Sequence, residues 1–202
     1  EHGEPEVLEL REVRIPAPGS DDLLIRVRAC GVNFPDVLML RGQYQVKPQL
    51  PFSPGFEVSG EVVETGSSVV DFGVGDRVIA MLTSGGMQEQ VVAPARQCLK
   101  IPNSMAFDIA ASFTLTYGTS YHALIDRARL RAGETLLVLG AAGGVGSAAI
   151  NIGQQLGARV IAAGSCKKKL SELQNIYGVD ETVTYSKDCL NLRDQVKTIT
   201  GG

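Results

Sequence analysis

Residues 135–165 read TLLVLGAAGGVGSAAINIGQQLGARVIAAGS, and their order decides the fold. Leu136 to Leu139 form an almost unbroken apolar run, as expected of a strand buried on both faces of a parallel sheet. A glycine-rich turn follows. Val145, Ala148, Ala149, Ile152 and Leu156 then recur at helical spacing, and Gly157 ends the helix. Val160 to Ala163 supply a second buried strand, which completes a βαβ unit of ordinary length. The turn, Gly140-Ala-Ala-Gly-Gly-Val-Gly146, reads Ala141-x-Gly143-x-x-Gly146 when aligned on its last glycine. That is a dinucleotide-binding fingerprint with alanine in the first glycine position. Gly143 lets backbone approach a pyrophosphate, Gly146 lets the helix pack on the strand, and the free amides and dipole of the helix start attract the anion. The flanking strand, helix and strand supply the context without which a bare glycine pattern carries little weight.

The end of the second strand distinguishes between cofactors. An NAD site usually carries an acid there for the ribose 2′-hydroxyl, whereas a 2′-phosphate calls for positive charge and hydroxyls. The chain has Gly164-Ser165-Cys166-Lys167-Lys168-Lys169, with no acid and three lysines. A solvated lysine run is the alternative. Cations at a helix start oppose its dipole, however, and a bound phosphate accounts for them, so NADP(H) is the expected cofactor.

Downstream, Leu170 to Tyr177 reads as a helix, Thr182 to Tyr185 as a third strand and Leu190 to Ile199 as a polar helix, which makes half of a doubly wound domain. The third strand is expected to be an exposed apolar edge. The chain reads as a piece of a longer parent. Upstream, Val7 to Val13 reads as a strand and Ile25 to Ala29 as another with one solvated face. Glu57 to Glu64, Asp76 to Met81, Met87 to Val92 and Cys98 to Ile101 add more, each bounded by Gly or Pro. Short strands at this spacing suggest a compact β barrel or sandwich. Helical pattern runs from Ala106 to Ala128. The expected domains are therefore residues 1–118 and 119–202, an α/β architecture.

With 44% hydrophobic and 20% charged residues and a net charge of −3, the composition is that of a soluble globular protein with no general basic surface for nucleic acid. No apolar run approaches a membrane span. Cys30, Cys98, Cys166 and Cys189 are far apart in sequence, which argues for free thiols in a reducing compartment. The cytoplasm is the expected location, or the mitochondrion if a transit peptide has been removed.

Several segments carry a resemblance when taken in order: Arg28 to Asp36 (RACGVNFPD), Arg41 to Tyr44 (RGQY), Pro51 to Glu57 (PFSPGFE), Gly75 to Val78 (GDRV), Thr119 to Leu124 (TSYHAL) and Gly140 to Gly146. Together they resemble the zinc-independent quinone oxidoreductase branch of the medium-chain dehydrogenase/reductase superfamily, which includes zeta-crystallin. The resemblance implies an N-terminal GroES-like β domain carrying the substrate site, then a Rossmann domain, of which about half is present, with an active cleft between the two. It also implies a homodimer and a small-molecule quinone or α,β-unsaturated carbonyl as substrate. In the related zinc enzymes a cysteine follows Gly-Val and a Gly-His-Glu segment supplies a histidine. Here those positions hold Asn33 and Phe56, so no metal is expected.

The resemblance places Asn33 and Asp36 beside the nicotinamide and substrate, and Tyr44 near the same pocket. Read alone, Asn33 and Asp36 would serve equally well as helix caps, and Tyr44 as a packing residue. Leu38 departs from the tyrosine of the bacterial quinone reductases, which makes enones and enals equal candidates. On the cofactor side the resemblance implies Thr119 at the carboxamide, Ala142, Gly143, Gly144, Val145 and Gly146 at the pyrophosphate, Ser165 and Lys169 at the 2′-phosphate, and Tyr185 at the adenine ribose. Capping for Thr119 and packing for Tyr185 are the plainer alternatives. An enoyl reductase of fatty-acid or polyketide type, a non-catalytic nucleotide-binding protein and a dimerising scaffold also stay open, as does activity of this chain alone.

Overall fold

A computed structural model describes residues 2–186 and 191–202. The chain divides into two units, 1–114 and 115–202.

The first unit is built on β1 (Asp22–Gly31), β2 (Glu57–Thr65), β3 (Arg77–Met81), β4 (Gln90–Pro94) and β5 (Cys98–Lys100). They form one antiparallel sheet in the order β4-β1-β2-β3-β5. Alternation in β1 sends Leu23 and Ile25 into a core with Val58, Val62, Val78, Ala80, Val91 and Ala93, while Arg26 stays outside. The first four residues of β2 are buried on both faces. Val58 lies in that core, and Ser59 on the opposite face donates its hydroxyl to Phe107 O of α2 (Phe107–Ala111). A short helix, α1 (Phe34–Leu40), leaves β1 almost at once.

The expected strand at Val7 to Val13 is not formed. Pro5–Val7 is a 3-10 turn, and no strand lies among the residues from there to β1. The segment offers Leu8, Leu10 and Val13 among charged neighbours, all three exposed, and strand formation needs a partner ladder that nothing among the described residues supplies.

The second unit begins inside α3 (Thr114–Tyr121), which runs on into a π-helical stretch, His122–Arg127. Three parallel strands follow, β6 (Thr135–Leu139), β7 (Arg159–Gly164) and β8 (Glu181–Thr184), in the order β6-β7-β8. Val160 to Gly164 in the central strand are all buried, which explains their apolar run. Ile150 of α4 (Gly144–Gln155) and Leu170 and Leu173 of α5 (Lys167–Tyr177) cover one face with Val160 and Ala162. Leu192 and Ile199 of α6 (Leu192–Thr200) pack toward the other, against Ile161, Ala163 and Val183. Helices on both faces of a parallel sheet make this the doubly wound arrangement expected. The start of the last expected helix, Leu190, lies outside the described residues. One expectation needs correction: the apolar edge among the described residues is β6, where Leu139 is 57% exposed, whereas β8 is mostly polar.

Candidate functional site

In the first unit, three candidate residues meet three consecutive residues at the start of β2. Asp36 Oδ1 accepts the N–H of Gly55 at 2.8 Å, the ring of Tyr44 stands edge-on to Phe56 at 5.4 Å, and Asn33 Nδ2 donates to Glu57 Oε1 at 2.9 Å. Local sequence accounts for the way α1 presents them. Asn33 is its N-cap, with extended backbone at φ −123° and ψ 157°, and Pro35 lies in the first turn, where a missing N–H costs nothing. Asp36, at the third helical position, accepts the Asn33 N–H through Oδ2 at 2.8 Å, a reach-back that satisfies an orphan donor. Asp36 thus does both jobs open to it: it caps the helix and ties it to Gly55.

Gly55 is suited to receive that bond. Its φ of +106° belongs to glycine, and a Cβ there would stand 2.7 Å from Gly86 Cα and 2.8 Å from Cys30 Sγ. Asp36 and Glu57 are each only 2% exposed. Burial pushes the Asp36 carboxyl above its usual range, while the N–H groups of Asn33 and Gly55 pull it back. Burial, with Asp36 and Glu57 nearby, pushes the half-buried Cys30 thiol up to about 11, so it is a poor nucleophile. Among the described residues no group of three or more His, Cys, Asp or Glu side chains is placed to share a metal ion.

In the second unit, the glycine turn joins β6 to α4. The turn is pinned from below, since Ala141 N donates to Ala163 O of β7 at 3.0 Å. Gly146 is where the helix start presses on the turn: a Cβ would lie 2.5 Å from Gly140 O and 2.8 Å from Ala141 Cα. Gly143 faces the opposite situation, its nearest neighbour to such a Cβ being Gly140 O at 3.4 Å. Ala142, Gly143, Gly144 and Val145 are all exposed. The amides of Gly144, Val145 and Gly146 precede the first i→i−4 bond of α4, made by Ser147 N to Gly143 O. The turn therefore offers a shelf of N–H groups at the positive end of a 12-residue helix.

The same carboxyl edge of the sheet carries the other cofactor-side candidates. Ser165 and Lys169 follow the end of β7 and are exposed. Tyr185 N donates to Gly164 O at 3.1 Å, and its half-buried ring packs near Val183, so the plain packing role is at least partly its own. Thr119 is exposed on α3, whose neighbouring residues hold the turn: Thr116 approaches Gly144, and buried Ser120 donates to Val145 O at 2.8 Å. The open space at Gly143, the amide shelf and the nearby lysine together suit a dinucleotide with its pyrophosphate on α4 and its adenosine end along β7 and β8.

Residues 19–103 match the model of the alcohol dehydrogenase GroES-like domain. The chain is 44% identical over 186 residues to a quinone oxidoreductase-like protein 2 homolog of Nematostella vectensis, across 91% of this chain and 50% of that protein. It superposes over its whole length, and 61% of the other chain, on the crystal structure of Escherichia coli quinone oxidoreductase complexed with NADPH, with a TM-score of 0.91 and 29% identity. This chain belongs to the quinone oxidoreductase family of medium-chain dehydrogenases/reductases. It spans about half the length of the curated relatives it matches. The CurK enoyl reductase is also similar, with a TM-score of 0.91 at 28% identity, over all of this chain and 62% of that one.

Within this family frame, two residues escape a reading of the sequence. Glu57 looks like an ordinary strand acid, and its signal was its place directly after Pro-Gly-Phe in a strand otherwise apolar and small at that end. Ser120 has no comparable signal. Both are buried polar groups whose partners are distant in sequence. Cys30, Cys98 and Cys166 are free thiols, and Cys189 lies outside the described residues. No helix among the described residues is long and apolar enough to cross a membrane.

Proposed function

We propose that the protein is an NADPH-dependent oxidoreductase that delivers hydride to a quinone or an α,β-unsaturated carbonyl without zinc. The observation that carries this reading is the exposed turn Ala142 to Val145 at the start of α4, on the same sheet edge as Ser165 and Lys169. The backbone of Ala142 to Gly146 would hold the pyrophosphate, Lys169 and Ser165 the 2′-phosphate, Tyr185 the adenine ribose and Thr119 the carboxamide. When bound, the nicotinamide supplies the hydride. Asn33, Asp36 and Tyr44 would then provide the substrate side: Asp36 fixes the start of α1, Asn33 offers a rigid amide and Tyr44 an O–H. A domain partition at residue 118, a homodimer and a cytoplasmic location, or a mitochondrial one after removal of a transit peptide, belong to the same proposal. The likeness to an enoyl reductase favours one second reading, reduction of an enoyl thioester.

Calorimetry with NADPH and NADH on this chain tests the cofactor assignment. Micromolar NADPH binding with much weaker NADH is expected. Lys169→Ala should weaken NADPH about tenfold, the loss of one charge-assisted phosphate contact, and leave NADH unchanged. Equal weakening of both would remove Lys169 from the site, and no binding of either would remove the cofactor. NADPH oxidation with an enone set against an enoyl thioester then separates the two substrate classes.

A further inference from the structure

We infer that Ser120 is a positioning residue for the nicotinamide half of the cofactor: its bond to the start of α4 locks α3 in place and so fixes Thr119 relative to the glycine turn. This rests on the reading of Thr119 and the turn as cofactor-side residues. A serine inside a helix ordinarily returns its hydroxyl to the carbonyl one turn back on its own helix. Ser120 does otherwise. The residue is 2% exposed, and its hydroxyl donates at 2.8 Å to Val145 O, 25 positions away. Val145 is the second residue of α4. Thr116, one turn earlier on the same face of α3, stands against the first: a Cβ at Gly144 would lie 3.0 Å from Thr116 Cγ2.

Two neighbours on one helix face, seated on two consecutive residues of another helix, hold α3 against rotation about its axis. Thr119 lies about 100° round the helix from Ser120 and is exposed, so the seat sets the direction in which it faces. The turn does not need the bond in return. Ala141 N is tied to Ala163 O at 3.0 Å, Ser147 N to Gly143 O at 2.8 Å and Ser147 Oγ to Gly143 O at 3.0 Å, none of them through α3. With eight residues, α3 is too short for helix propensity to hold it without packing. Loss of the Ser120 hydroxyl should therefore free Thr119 and leave the pyrophosphate turn as it was. The ligand that discriminates is 2′-phospho-ADP-ribose, which has the phosphates and adenosine of NADPH and no nicotinamide.

Hydrogen exchange on the ligand-free chain tests the lock. Ser120→Ala should speed exchange of the Gly118 and Thr119 amides about fivefold, the worth of one neutral hydrogen bond, while Ala141 and Ser147 keep their wild-type rates. Unchanged exchange in α3, or equal acceleration in the turn, overturns the inference. Calorimetry tests the consequence. Ser120→Ala should weaken NADPH about fivefold and 2′-phospho-ADP-ribose less than about twofold. Ser120→Cys, of similar size and with a weak donor, should fall between wild type and alanine. In a Thr119→Ala background, Ser120→Ala should not weaken NADPH further, because it acts through Thr119. Equal weakening of both ligands, or losses that add, overturns the inference as well. A chain that binds neither ligand but shows the expected exchange pattern sinks the cofactor reading alone, and NADPH binding with an indifferent α3 sinks this inference alone.

Discussion

The candidate residues of the two units are held by opposite means. In the first unit, Asn33 and Asp36 are locked by bonds of their side chains, and Asp36 and Glu57 are buried almost completely. In the second, Ala142 to Val145, Ser165 and Lys169 lie open, and what they offer is backbone shape and surface charge. The first arrangement couples function to stability, since each candidate residue is also a structural tie. The second separates them, because an exposed lysine in the first turn of α5 holds up nothing. Substitutions should therefore divide into those that unfold and those that only weaken a ligand.

Asp36→Ala gives the largest expected effect. It orphans the buried N–H of Gly55 and the N–H of Asn33, and should cost about 3 kcal/mol in urea unfolding. Conditions that keep the variant folded should show NADPH affinity within about twofold of wild type, because the amide shelf shares no partner with Asp36. A large loss of affinity would mean that the two regions are not energetically separate. Gly146→Ala is next and sharpens the contrast from the other side. The added Cβ meets backbone at 2.5 Å and 2.8 Å, which cannot swing aside, so about 2 kcal/mol of stability should go as well as NADPH binding. Here is a stability-bearing residue inside the exposed half, and full retention of stability would show that the turn shifts freely.

The same contrast governs what the sequence could reveal. The βαβ unit was legible because its signals are local: an apolar run, a glycine turn and a helical repeat adjoin within about thirty residues. Gly146 was legible for the same reason, its crowding partners being Gly140 and Ala141. From its local sequence Asp36 was legible as a cap, whereas its bond to Gly55, across 19 positions, was not. Glu57 was missed, since its partner Asn33 lies 24 positions away and a strand acid is ordinarily solvated. The expected strand at Val7 to Val13 failed for a related reason: alternation marks what could be a strand, and pairing decides whether it is one. The order β4-β1-β2-β3-β5 likewise has no local trace.

The smallest expected effect is a pH dependence that separates burial from hydrogen bonding at Asp36. Its folded-state pKa lies above the ordinary aspartate value because burial outweighs the two N–H bonds. Between the ordinary value and the raised one, the native state therefore holds more protons than the unfolded state. Stability falls with pH wherever that is so, hence the contribution of Asp36 is fully present below the ordinary aspartate pKa and is lost as pH rises through the folded one. Other carboxylates run the opposite way, Asp76 among them, lowered chiefly by its bond to Lys100. The comparison must therefore be with Asp36→Asn, which retains every other group. Urea unfolding of both proteins from pH 4 to pH 7 should show the wild type losing ground to the variant as pH rises. Had the N–H groups outweighed burial, the wild type would gain ground instead, and the tie between α1 and Gly55 would be a charge-assisted clamp rather than a buried acid held at a cost.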